Sequence, residues 1–212
     1  MRPIILPIDL GERLIPYQEG WDLQRRLHAQ VVAGETPPTV LLLEHEPTYT
    51  AGSRTQPADL PRNGERVVEV DRGGRITWHG EGQLVAYPIV PLHTPVDVVA
   101  MVHALEDALM ATCTDYGVAS IRIPGRSGVW VDGGGQPARK IAAIGIRVAK
   151  GVTMHGVALN IDCDLTAYDH IIPCGIPDAG VTSLRAEGAA DASVTAVSTE
   201  LGSHLVAALS WD

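Results

Sequence analysis

Apolar residues recur along this chain with two different periods. From Thr94 to Gly117, Val98, Val102, Leu105, Leu109 and Cys113 return every three or four positions, which is one face of a helix. Thr94 can cap that helix, Pro95 suits its first position, Asp97 favours its positive end and Gly117 supplies a stop. A second helix is expected from about Glu19 to Val32, ending near Gly34. A third runs through "SVTAVSTELGSHLVAALS", with Val194, Val197, Leu201 and Leu205 on one face. Between them lie strand-like runs: "TVLLLEHE", "RVVEVD", "GRITWH", "QLVAYPIV", "SIRI", "GVWVD", "KIAAIGIRVA" and "VTMHGVALNID". In the last two, Ile144, Ile146 and Val148 alternate with smaller or polar residues up to Lys150-Gly151, and Val157, Leu159 and Ile161 alternate on the return, which predicts a hairpin. The pattern gives an α/β (α+β) class, one mixed, largely antiparallel sheet flanked by helices.

Length and composition narrow this to one catalytic-sized domain over residues 1–212, since 212 residues, 45% of them hydrophobic, suit a single core. Every apolar run falls short of the roughly 20 residues a membrane span needs, and prolines and an acid interrupt "MRPIILPIDLGERL" before a signal-type region develops. A soluble, cytoplasmic protein without membrane association is expected. Three cysteines, Cys113, Cys163 and Cys174, are an odd number without framework spacing, so free thiols are expected. A formal charge of −9 argues against nucleic acid as a partner. Yet Arg122 to Lys150 holds six basic side chains against one acid, Asp132, which could form a face for an acidic partner or a merely solvated one.

Four stretches carry candidate chemistry. In "HIIPCGIPD", Pro173, Gly175 and Pro177 make the surroundings of Cys174 a rigid turn that presents a thiol. "RGGRITWHGEGQL" has four glycines in thirteen residues. It lacks the phosphate-loop and dinucleotide spacings, and its glycines permit close backbone approach to a ligand oxygen. "ARKIAAIGIRV" puts Lys140 at the start of a strand whose small residues Ala142, Ala143 and Gly145 leave a groove for an alkyl chain, lined by Ile144 and Val157; alone, the lysine reads as a surface residue. "HGVALN" adds His155. The set His155, Cys163, His170 and Cys174 fits no compact structural zinc spacing, so no metal is expected.

Taken together, "LLLEHEPTYTAG", "DRGGRITWHGEGQLVAYPI", "GRSGVWV", "KIAAIGIRV", "MHGVALNID", "IIPCGI" and "VTSL" resemble the octanoyltransferases, or lipoyl(octanoyl) transferases, of lipoate biosynthesis, over about Leu41 to Leu184. The resemblance implies the catalytic fold shared with biotin protein ligases and lipoate ligases. It implies that Cys174 carries an acyl thioester and that Lys140 lowers its pKa and relays protons, without ATP or another cofactor. Substrate contacts are implied at Arg72, Gly73, Gly74, Arg75, Ile76, Thr77, Trp78 and His79, at Ala143, Ile144 and Gly145, and at Gly156, Val157 and Ala158, with His155 in support and His79 orienting a backbone or thioester group. Implied partners are an octanoylated acyl carrier protein as donor, and lipoyl domains of 2-oxoacid dehydrogenase E2 subunits or glycine cleavage H protein as acceptor. The chain departs from the family at Glu81, where proline is usual; the change is expected to relax the turn and set an acid beside the acyl site.

Three rival readings are weighed. An ATP-dependent lipoate or biotin ligase would need no nucleophilic thiol, a thiol hydrolase would use His155 or His170 as base, and a binding module would need neither Lys140 nor Cys174.

Overall fold

The computed structural model describes residues 2–62, 64–172 and 179–210. In chain order its elements are β1 (Ile4–Pro7), α1 (Tyr17–Ala33), β2 (Thr39–Leu43), β3 (Thr48–Ala51), β4 (Val67–Glu69), β5 (Thr77–His79), β6 (Gln83–Ile89), α2 (Val98–Asp115), β7 (Ile121–Ile123), β8 (Arg126–Gly133), β9 (Gln136–Ala149), β10 (Val152–Asn160), β11 (Gly180–Val181) and α3 (Val194–Ala208). Short 3₁₀ turns occupy Pro57–Asp59 and Leu165–His170.

The main sheet has the order β1-β2-β6-β10-β9-β8-β7, with β11 added to β9. Its pairs are antiparallel except β1 with β2 and β11 with β9. The expected hairpin is β9 with β10, in register from Val152 opposite Ala149 to Leu159 opposite Ala142. Lys150 and Gly151 both take positive φ, 51° and 76°, the backbone that a tight two-residue hairpin turn requires. Helices α2 and α3 cover one face over Leu42, Leu84, Ile141, Val157 and Leu159, while α1 covers the other over Leu41, Leu43, Val85 and Met154. The alternation along each strand sends one set of side chains to each layer.

Three expectations need correction. Helix α2 starts at Val98, not Thr94: the Asp97 carboxylate accepts from the Ala100 amide at 2.8 Å. Its buried stripe therefore starts at Met101, and Val98 is 42% exposed. There are two sheets among the described residues rather than one, because β4-β3-β5 form a separate three-stranded sheet carrying the "GRITWH" run. Lys140 lies within a strand of 14 residues rather than at its start, since β9 begins at Gln136 to pair with β8. The intervening "GGGQP" hid that pairing, as glycine and proline usually signal a loop.

Candidate active site

A cavity of about 540 Å³ lies where the small sheet folds over the β9–β10 hairpin, within the size range of small-molecule sites. Ala143 and Gly145 of β9 and Ala158 of β10 floor it, Gly74, Thr77 and His79 roof it, and Tyr17 and Tyr87 close one end. Ile144 and Val157 also border it, but their side chains join the core under α2 and α3. The groove is thus made by the alanines and glycines of the opposite face. Gly145 has a further role: a Cβ there would come within 2.9 Å of the Gly73 carbonyl and 3.0 Å of Arg72 Cδ. Only glycine lets the roof segment approach β9, where the Gly73 amide donates to Ile146 O at 2.9 Å.

Lys140 is 7% exposed and lines the other end. Its ammonium donates to Ser127 O at 3.0 Å and stands 4.5 Å from the centre of the Trp130 ring. The β8–β9 register slips there, with Val129 opposite Ala142 but Trp130 opposite Lys140; such a bulge re-aims a side chain. No aspartate or glutamate lines the cavity among the described residues, whereas Arg54, Arg72, Arg75 and Arg126 do. The surroundings therefore favour an anion beside the lysine.

The roof is held by a chain of buried hydrogen bonds. Arg72 donates to Arg75 O at 2.8 Å, Thr50 O at 2.8 Å and Thr50 Oγ1 at 2.9 Å. His79 Nε2 lies 3.3 Å from Thr50 Oγ1, and its Nδ1 lies 2.7 Å from Gln83 Oε1. Both ring nitrogens are thus committed to protein, so His79 fixes the roof. Burial, aided by His45 and Arg72, pulls its pKa down to about 3.

His155 is 1% exposed and takes φ of 56° in mid-strand. Pro88, the residue of β6 beside this point, has no amide to donate, and its carbonyl accepts from Thr153 Oγ1 at 2.6 Å. The His155 amide turns instead to Gln24 Oε1 at 2.8 Å, and Nε2 donates to Asp71 Oδ1 at 2.7 Å. Burial and the charges of Arg72 and Arg147 pull the ring down to about 3. The Asp71 carboxylate is also ion-paired to Arg147.

Cys174 lies outside the described residues. The other two thiols are buried, which pushes Cys113 up to about 11 and Cys163 up to about 12, so both are protonated at neutral pH. Helical phase had placed Cys113 in the core, and it is there. The Ile172 amide faces Asp59 O at 3.5 Å. Val181 then pairs with Lys140, and the Thr182 amide donates to Lys140 O at 3.0 Å.

Of the other substrate contacts expected from sequence, Arg72, Gly74, Arg75, Thr77, His79, Lys140, Ala143, Ile144, Gly145, His155, Gly156, Val157 and Ala158 border the cavity. Gly73, Ile76 and Trp78 do not. Ile76 and Trp78 point by strand alternation into the small core with Tyr49 and Tyr168. Glu81 is not beside the cavity; it borders a second, acidic hollow with Glu44, Asp162 and Asp164. The turn is not slack there, since Gly82 donates to Glu44 Oε1 at 2.9 Å and accepts from the Ile161 and Asp162 amides. The basic segment is partly neutralised: Arg122 pairs with Glu106 and Asp107, Arg139 with Glu187, and Arg147 with Asp71. Sequence reasoning missed Tyr17, Tyr87 and Arg54. Tyr17 begins a helix and carries no motif, while Pro88 within an apolar strand was the one visible sign of a kinked site.

Residues 16–206 match the model of the lipoyl protein ligase A/B catalytic domain, a span containing the whole cavity. The chain belongs to the lipoyl protein ligase A/B catalytic family. Within that family it is 60% identical over 183 residues to the octanoyltransferase of Thermobifida fusca, covering 84% of this chain and 78% of that protein. It is 57% identical over 210 residues to the octanoyltransferase of Corynebacterium jeikeium, covering 96% and 87%. Among solved structures, the bipartite lipoate protein ligase of Thermoplasma acidophilum superposes with a TM-score of 0.69 at 15% identity, covering 99% of this chain and 84% of that one. That likeness carries the fold, and the ligase-type architecture expected from sequence is the one observed. No helix among the described residues is long and apolar enough to cross a membrane.

Proposed function

We propose that this protein is an acyltransferase that moves an octanoyl group from an acyl carrier protein to a lysine of a lipoyl domain, through a thioester on Cys174. The natural acceptors on this reading are lipoyl domains of 2-oxoacid dehydrogenase E2 subunits or glycine cleavage H protein, in the cytoplasm. Neither ATP nor a metal takes part. The observation that carries the proposal is Lys140: a buried ammonium with no carboxylate partner among the described residues, at one end of a cavity floored by small apolar side chains. High identity to two octanoyltransferases supports the acyl group. Burial holds the thiols of Cys113 and Cys163 protonated, which supports a reading with the nucleophile elsewhere, at Cys174.

In the first half-reaction the Cys174 thiolate, stabilised by the Lys140 ammonium, attacks the donor's thioester carbon. The new C–S bond forms as the bond to the carrier sulfur breaks, and that sulfur takes a proton from Lys140. In the second, the acceptor lysine's neutral amine attacks the acyl-enzyme carbon. The amide forms, its proton passes to Lys140, and the Cys174 thiolate and the ammonium are restored. Every atom is conserved without an activating nucleotide.

The test is a mixture of this protein, octanoylated acyl carrier protein and an apo lipoyl domain, without ATP. An octanoyl amide on the domain's lysine is expected. Modification that demands free octanoate and ATP would instead show a ligase.

A further inference from the structure

We infer that Tyr17 and Tyr87 form the stop that limits acyl length, a specificity-determining wall of the cavity. This deepens the acyl-slot reading given above and rests on it.

The strands fix the direction of the slot. Lys140 lies five positions before Gly145 on β9, about 16 Å along the strand. Tyr87 is on β6, two strands across, next to Ala86, the partner of Val157; that is about 10 Å sideways. The β7–β8 turn lies at the Lys140 end, where Ser127 O accepts from the ammonium. Tyr17 and Tyr87, 5% and 3% exposed, line the cavity on the β6 side, away from Lys140. A chain whose carbonyl sits near Lys140 runs over Ala143 and Ala158 and meets the tyrosine rings last.

The wall is rigid. His45 Nδ1 faces Ile15 O at 2.8 Å, a carbonyl that can only accept, so Nδ1 carries the proton and Nε2 accepts from the Tyr87 hydroxyl at 2.7 Å. The Tyr87 hydroxyl proton is thus committed to His45. Tyr17 packs on His45 at 4.9 Å and on His79 at 6.0 Å between ring centres. With the Tyr87 hydroxyl held by His45, the wall offers ring carbon to a methyl terminus. The chain has no phenylalanine, and among the described residues no tryptophan or other tyrosine lines the cavity.

The experiment measures the ratio of kcat/KM for dodecanoyl over octanoyl carrier protein, with wild type, Tyr17→Leu, Tyr87→Ala, and Tyr17→Phe as the control that keeps the ring. A ratio within one sample does not depend on how much of a variant is folded. If Tyr87→Ala does not accumulate, Tyr17→Leu carries the test. Shortening either side chain is expected to raise the ratio by roughly tenfold or more, on the scale of a few methylene groups in an apolar pocket; Tyr17→Phe should leave it within about threefold. A ratio unchanged in the shortened variants, with wild type still transferring octanoyl, overturns the stop and leaves the proposed function standing. Absence of transfer by wild type from any donor overturns the function itself.

Discussion

Lys140 shows how a residue can be legible in type and not in setting. A lysine between Arg139 and Ile141 reads as surface, and only the motif around it suggested otherwise. Its burial comes from a register slip in β8 and β9 and from the carbonyl of Ser127, neither of which has a periodic signature. If this ammonium stabilises the Cys174 thiolate, Lys140→Met should move the pH midpoint of Cys174 alkylation upward by about one unit or more. The same change should lower kcat by about 10²-fold or more. Lys140→Arg keeps charge and should retain the low midpoint better than methionine. An alkylation profile identical to wild type in Lys140→Met would remove the lysine from the chemistry. His79 teaches the reverse: a histidine between glycine-rich flanks looks available, yet Thr50 and Gln83 engage both its nitrogens.

At the scale of elements, the three helices and the β9–β10 hairpin were readable because each buries one stripe or one face. What periodicity could not supply was where elements meet. The separate β4-β3-β5 sheet depends on pairings between segments that look alike locally. Glu106 is the sharpest case, an acid inside the apolar phase of α2 between Leu105 and Leu109. It is 3% exposed, accepts from Arg122 Nε at 2.8 Å and from the Gly128 amide at 3.0 Å, and so ties α2 to the strand next to Ser127. Glu106→Ala should cost about 2–3 kcal/mol, discounted because Arg122 is one-third exposed. That corresponds to roughly 5–10 °C in Tm for a domain of this size, read by thermal unfolding. A Tm within about 2 °C of wild type would mean that the buried carboxylate holds nothing.

Across the whole molecule, the aromatic and histidine layer between α1 and the cavity ties stability to pH. Burial is the main cause that holds His45 down to about 4 and His79 down to about 3, against about 6.5 in an unfolded chain. The unfolded state therefore binds more protons below pH 6.5, so stability falls as pH drops through that value and keeps falling until about pH 4 and pH 3 respectively. Each of the two contributes a slope of about 1.4 kcal/mol per pH unit, and His155 acts in the same direction. The unfolding free energy from urea titration should decline from pH 7 to pH 5, by about 3–4 kcal/mol in total from His45 and His79. His45→Gln should flatten the slope by about one proton, and a flat profile from pH 7 to pH 5 would contradict neutral burial. This layer was not legible as a unit in the sequence, since Tyr17 lies on α1, His45 between β2 and β3, His79 on β5 and Tyr87 on β6, and only packing brings them together.

The central claim is that an acyl group rests on Cys174 between two partners. Intact mass of the protein after incubation with octanoylated acyl carrier protein alone, for wild type and for Cys174→Ser, tests it most directly. The account predicts one octanoyl adduct on wild type that neutral hydroxylamine removes, and no such adduct on Cys174→Ser. A thioester adduct of equal yield on both proteins, or transfer to the acceptor at wild-type rate by Cys174→Ser, would contradict it.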